Sequence, residues 1–152
     1  MRVSAKTDYA IRAVLELAAA GDERPVKGER IATAQQIPLR FLENILMQLR
    51  HAGLVESRRG ADGGYRLARA PDEITLAEVI RAIDGPLAGV SGVRPESLGF
   101  EGVAEPMRDV WIAVRAALRS VLEQISLADV VAGELPSHVR SLLADDEAWL
   151  PH

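Results

Sequence analysis

The stretch from Glu29 to Ala68 restricts the fold of this chain more than any other. A short helix is expected at about Glu29–Gln36, with Ile31, Ala32 and Gln35 setting its faces. Ile37-Pro38 interrupts it, and Pro38 suits the first position of a following helix, where a missing N–H costs nothing. That helix runs from Pro38 to about Ala52, buries Leu42, Ile45, Leu46 and Leu49, and stops at Gly53. Two helices joined by a tight link make a helix-turn-helix candidate, a spacing that helical proteins also reach by chance. The next fourteen or so residues sharpen the reading. Leu54–Ser57 and Tyr65–Ala68 read as two short strands, separated by the Gly- and Asp-rich turn from Arg58 to Gly64. A helix-turn-helix running directly into a β-hairpin is a winged helix.

The rest of the chain can be placed around this unit. Ser4 is a good N-cap, and Ala5–Ala20 contains neither Gly nor Pro, so a first helix is predicted there. Its core stripe comprises Tyr9, Ala10, Ala13, Val14, Leu17 and Ala20, and Gly21 and Pro25 end it. Thr75 and Glu78 form a capping box for a further helix that buries Leu76, Val79, Ile80 and Ile83 and stops before Gly85. From Gly85 to Pro106 the chain carries five Gly and three Pro and has no period, which marks a functional or mobile loop. A long helix is then predicted from Met107 to Ile125. Trp111, Val114, Leu118, Val121 and Ile125 repeat as a heptad seam along it, with Met107 one step before. The seam fits either a helix packed on its own domain or a contact between two copies. A second apolar strip (Val110, Ala113, Ala117, Leu122) favours the homodimer, because both packings can then coexist. Ser126 and Asp129 cap a short helix closed by Gly133, and an amphipathic piece near 137–144 leads to the acidic run Asp145-Asp146-Glu147.

The predicted fold class is therefore mainly α with a small β-hairpin wing, a winged helix-turn-helix followed by a long C-terminal dimerisation helix. Four parts are expected: a DNA-binding unit over 1–85, a Gly/Pro-rich loop over 86–106 acting as a sensing element, the dimerisation helix and short helix over 107–133, and an acidic tail over 134–152.

Charge and chemistry narrow the function. The net charge is −4, but residues 1–70 hold twelve Lys+Arg against eight Asp+Glu, and residues 71–152 hold six against fourteen. A basic front half facing a polyanion and an acidic remainder fit this distribution. No run of apolar residues is long enough for a membrane span. The opening residues lack the order of a secretory signal, so a cytoplasmic address is expected. With no Cys there is no disulfide, thiolate nucleophile or thiolate metal site. His51, His138 and His152 are scattered, and the Gly60–Gly64 run lies between strands, outside any nucleotide-binding context, so no catalytic constellation is present. Glu96, Glu101 and Glu105 fit a flexible acidic loop better than a cation site. No metal and no cofactor is expected.

Roles in DNA recognition can be assigned from residue type and position. Ser4, Lys6 and Arg50 suit phosphate contacts. Arg40, Glu43 and Asn44, near the start of the second helix of the motif, suit base edges: Arg40 guanine, Glu43 the cytosine amine and Asn44 adenine. Arg59 at the wing tip suits the minor groove, with Arg58 beside it. Glu43 has a second reading as an exposed helix-surface acid, and the arginine pair as a solvated turn. Trp111, beside the loop, fits a dimer-core anchor better than a small-molecule pocket.

The residues as a set resemble the Rrf-two-type winged helix-turn-helix transcriptional regulators, the IscR/NsrR/CymR-like family. The resemblance is carried by Ser4-Ala5-Lys6 with Tyr9-Ala10, by Ile37–Glu43, and by Leu49-Arg50 with Gly53-Leu54-Val55. It continues through Arg59-Gly60 with Gly63-Gly64-Tyr65, Glu78–Gly85 and Ser126–Val130, and covers about residues 1–133. It implies a symmetric dimer through the long helix, binding to partly palindromic promoter DNA, and contacts from Pro38, Leu39, Gly60, Gly63, Gly64 and Tyr65 beside the cations named above. It departs in one respect. Cluster-binding members place three Cys in the loop before the long helix, where this chain has none. In the family's other ligation scheme Asp8 would match the acid, but Thr33 stands in the region of the His. This chain is thus read as a cysteine-free member without an iron–sulfur cluster. The expected function is a homodimeric repressor whose signal is a metabolite, such as one of sulfur or cysteine metabolism, or a protein effector. The alternative is a winged-helix protein-interaction module that does not use DNA.

Overall fold

Ser4 opens the first helix as predicted: its backbone is extended and its hydroxyl accepts the Thr7 N–H at 3.0 Å. The computed structural model describes residues 2–151; Met1 and His152 lie outside the described residues. The helices are α1 (Ala5–Ala20), α2 (Gly28–Gln35), α3 (Leu39–His51), α4 (Leu76–Asp84), α5 (Met107–Leu122), α6 (Leu127–Ala132) and α7 (Ser137–Leu143). One antiparallel hairpin, β1 (Val55–Arg58) with β2 (Gly64–Leu67), comes after α3, in the register Val55↔Leu67 to Arg58↔Gly64. The chain is mainly helical with a two-stranded wing, the fold class expected from the sequence.

One core holds α1–α4, the hairpin and α6. Ala10, Ala13 and Val14 of α1 meet Ile31 of α2 and Leu42, Ile45, Leu46 and Leu49 of α3, all fully buried. Val55, Leu67 and Ile74 close it. The tight link between α2 and α3 forms because Gln36 adopts a left-handed conformation (φ 54°) and Ile37 turns inward, its N–H bonding the Ala32 carbonyl at 2.9 Å. Several expected core positions differ. Ala20 is exposed, since α1 ends beyond Leu17 where nothing covers it. On α4 the buried pair is Ala77 and Val79, while the expected core residues Leu76, Ile80 and Ile83 are only half-buried.

The long helix is shorter than predicted. It ends at Leu122, and Ile125 is buried in the turn beyond it, so Ile125 is not a seam residue of a dimer contact. The Ile125 carbonyl accepts the Leu76 N–H, and the Leu127 N–H bonds the Ile74 carbonyl, making an antiparallel bridge between Thr75 and Ser126. Both bridge residues are N-caps with complete capping boxes. Leu127 enters the core with no exposed surface, so α6 sits in the same core as α1. The stretch expected as an acidic tail contains α7. His138 Nε2 donates to the Ser120 carbonyl at 2.9 Å, and Val139 is buried. Among the described residues no helix is long and apolar enough to cross a membrane.

Candidate nucleic-acid interface

Helix α3 divides its side chains between two environments. With Leu42, Ile45, Leu46 and Leu49 buried, Leu39, Arg40, Glu43, Asn44 and Met47 are left exposed on the other side. Pro38 caps the helix without a side-chain acceptor, and the first turn carries no acid. The leading amides therefore keep free donors and an unscreened positive end, which suits a phosphate. Phe41, the remaining exposed residue of the first turn, meets the Tyr9 ring edge-on at 5.7 Å, and the Arg12 guanidinium lies 4.7 Å from the centre of that same ring. These contacts fix the front of α3 against α1. Asn44 Oδ1 accepts from Gln48 Nε2 at 3.2 Å, which leaves the Asn44 amide hydrogens free.

The wing is held by glycine chemistry at its base. A Cβ on Gly63 would lie 2.2 Å from the Arg58 carbonyl oxygen. At Gly64, with φ at +150°, a Cβ would lie 2.5 Å from the Val26 carbonyl oxygen. That close approach lets Tyr65 and Val26 exchange two 2.7 Å backbone hydrogen bonds, tying the wing to the segment between α1 and α2. The Tyr65 ring lies over Gly28, within 3.6 Å of where a Cβ would stand. Gly63, Gly64 and Tyr65 thus shape the wing, while Arg59 and Gly60 sit in its exposed tip and Arg58 at the exposed end of β1.

The remaining expected contacts are distributed unevenly. Ser4 spends its hydroxyl internally, with Asp84 Oδ1 and Oδ2 each at 3.0 Å as acceptors, and so has no free hydroxyl for a phosphate. Lys6 lies half-buried on the first turn of α1. Arg50 Nη1 donates to Ser57 Oγ at 3.0 Å, bracing the end of α3 against β1. The ion pairs among the described residues include Arg66 with Glu56 across the wing but neither Arg40, Arg58 nor Arg59. Sequence reasoning passed over Arg24 and Lys27, which line one shallow cavity with Arg58 and Gly63. Val26, between them, pairs with Tyr65 of the wing, and nothing local in the sequence marks that pairing.

Comparison with known proteins agrees with this geometry. The Rrf2 family pattern, described as an iron-dependent transcriptional regulator, matches residues 3–133. Rv1287 of Mycobacterium tuberculosis (strain ATCC 25618 / H37Rv), provisionally named an HTH-type transcriptional regulator, is 51% identical over 146 residues, covering 96% of this chain and 90% of that protein. The solved structure of CymR, described as the global cysteine regulator of B. subtilis, superposes with a TM-score of 0.74 at 36% identity, over 88% of this chain and 98% of that one. T. potens IscR superposes with a TM-score of 0.70 at 33% identity, over 99% and 97%. The family and these relatives are regulators rather than enzymes.

The family description names iron, and the donor set of this chain bears directly on it. A [2Fe–2S] cluster takes four ligands, almost always thiolate or imidazole. This chain has no Cys and three His, and among the described residues no three His, Cys, Asp or Glu converge on a point that could hold a metal. Glu96 of the loop is bonded to Arg115. The residues present do not fit a cluster. With its winged helix, its relatives and its family match, the chain belongs to the Rrf2 family and is a DNA-binding transcriptional regulator.

Proposed function

We propose that this protein is a cytoplasmic homodimeric repressor that reads partly palindromic promoter sites without an iron–sulfur cluster. The observation that carries the reading is a set of exposed polar and cationic side chains on the two elements of the winged helix. The polar side of α3 (Arg40, Glu43, Asn44) and the wing cations Arg58 and Arg59 are mounted on one rigid core, and those three arginines have no ion-pair partner among the described residues. Arg40 offers a bidentate fork to guanine, Glu43 an acceptor to the cytosine amine, and Asn44 an amide to adenine. Arg59 enters the minor groove, and Lys6, Arg50 and the free amides after Pro38 hold phosphates. In this assignment residues 1–85 read DNA and 86–106 sense the signal. Residues 107–133 join two copies, with α6 also filling the DNA-binding core, and 134–152 form an acidic tail.

Dimerisation is supported by α5. This sixteen-residue helix carries Met107, Trp111, Val114, Leu118 and Val121, yet no residue of it is fully buried within one chain. Two-fold pairing of such helices spaces two reading heads for a palindrome. The similarity to CymR supports a signal from cysteine metabolism, delivered as a metabolite or through a protein partner.

Fluorescence anisotropy with a duplex from the protein's own upstream region, against a scrambled duplex of the same length, tests the reading. Specific sites are expected to bind about 10³-fold or more tighter than the scrambled control. Equal affinity for both would leave only a sequence-blind polyanion binder. Light scattering on the same sample is expected to give twice the 16.5 kDa of one chain.

A further inference from the structure

We propose that the cavity between α4, the 85–106 loop and α5 binds a small organic oxyanion carrying two or more negative charges. Residues 71–152 contain only six Lys and Arg among fourteen acids, and four of those six (Arg81, Arg94, Arg115 and Arg119) line this one cavity of about 420 Å³. Surface charge scattered at random in so acidic a region would not converge in this way. The fold neutralises the group only in part. Glu123 accepts from Arg81 and from Arg119, and Glu96 accepts from Arg115. Arg94 has no hydrogen-bond or ion-pair partner among the described residues. Four guanidinium groups against two carboxylates leave a net positive lining around a concave space, which concentrates anions. A dianion removes that imbalance.

The ligand class is set by the lining. All four cations are Arg, whose planar fork engages carboxylate or phosphate oxygens in pairs. Leu87 and Pro86 supply an apolar wall for a carbon skeleton. The volume falls in the range of small-molecule sites.

The site deepens the regulatory reading above, and its role as a signal input rests on that reading; binding itself does not. Arg94 and Glu96 come from the loop, in which Ala88 and Ser91 hold left-handed backbone (φ 54° and 51°), a strained state that outside contacts must offset. The wall formed by Gly85, Pro86 and Leu87 is shared with an adjoining, largely apolar cavity of about 340 Å³ that reaches Thr7 and Asp84. The anion site is thus separated by this shared wall from Asp84, the carboxylate that accepts from Ser4 and Thr7 at the start of α1.

Isothermal titration of the full chain in the absence of DNA tests the site with citrate, succinate and inorganic phosphate as separate probes. At least one probe is expected to bind saturably at one site per chain, and the ranking among the three separates a carboxylate from a phosphate ligand. Arg94→Ala is expected to weaken that binding at least tenfold, and Arg108→Ala, on α5 outside the cavity, to leave it unchanged. Arg94 makes no side-chain bond among the described residues, so the variant is expected to melt like the parent, and circular dichroism checks this. No saturable binding at millimolar concentration, or binding indifferent to Arg94→Ala, overturns the proposal. Both results are independent of whether the protein recognises its promoter.

Discussion

The Thr7 hydroxyl, fully buried, donates a 2.6 Å hydrogen bond to the Asp84 carboxylate and so joins the first turn of α1 to the last turn of α4. Ser4 bonds the same carboxylate. Asp84→Ala leaves the Thr7 hydroxyl buried without an acceptor and is expected to cost about 1–3 kcal/mol in urea unfolding. Adding Thr7→Val to that variant should recover part of the loss, because the orphaned group is gone. Fully additive losses would mean that the two residues do not act as a pair.

Acid stability should depend on Glu78. Burial pushes its carboxyl upward, but the Thr75 N–H, the Arg69 guanidinium and the Thr75 hydroxyl together outweigh burial and hold it below its ordinary value. A carboxyl depressed in the folded state stabilises the fold above its unfolded pKa, and that contribution is lost as the pH falls through the folded one. Urea midpoints of the parent and of Glu78→Gln should therefore differ near neutral pH and converge below the ordinary glutamate range. A gap that stays constant across the acid range would assign the effect to the capping hydrogen bonds alone.

Wing geometry predicts an ordering among glycine variants. Gly64→Ala places a Cβ 2.5 Å from the Val26 carbonyl, whereas at Gly60 nothing lies within 4 Å and only the φ of +104° opposes a side chain. Gly60→Ala is expected to lower stability by about 1–3 kcal/mol from backbone strain. Gly64→Ala should cost more and should also speed hydrogen exchange at the Val26 and Tyr65 amides, whose mutual bonds it breaks. Equal exchange in the two variants would sink the assignment.

DNA binding should separate reading from positioning. Lys6→Ala, at a proposed phosphate contact, is expected to flatten the slope of log K against log salt by about 0.9. Arg40→Ala should instead relax discrimination at one base pair per half-site by about 1–3 kcal/mol. A selection from randomised duplexes, run at two salt concentrations, reads both effects, and identical sequence preference in Arg40→Ala would remove it from the major groove.

The proposed dimer contact can be tested without touching the head. Leu118→Glu places a charge in the proposed α5 pairing and should shift light scattering toward a single chain. The far-ultraviolet spectrum should be retained, because Leu118 lies outside the buried core. A variant that remains dimeric would move the contact elsewhere.

Much of this architecture could be read from local chemistry. The bounds of α1 are set by Ser4 and Gly21, and the wing by a glycine run between alternating residues, because caps and turns are written in adjacent positions. Long-range pairings left weaker traces. Ile125 extends the heptad of α5 by spacing, yet its carbonyl pairs with Leu76 and turns the chain back into the core. Val26 gave no strand signal, since its partner Tyr65 lies far along the sequence. Ser4 looked free for phosphate until Asp84 arrived from α4. The arginine cavity was equally hidden, because its four cations come from three separate segments.

The bridge between Thr75 and Ser126 means that α5 leaves the body of the protein and is stitched back into it a few residues after it ends. It works as a looped handle rather than a free stalk, so the placement of α5 is tied at its far end to the mouth of α4. Residues 1–85 taken alone would lack Leu127, a fully buried side chain of the core that α1 shares.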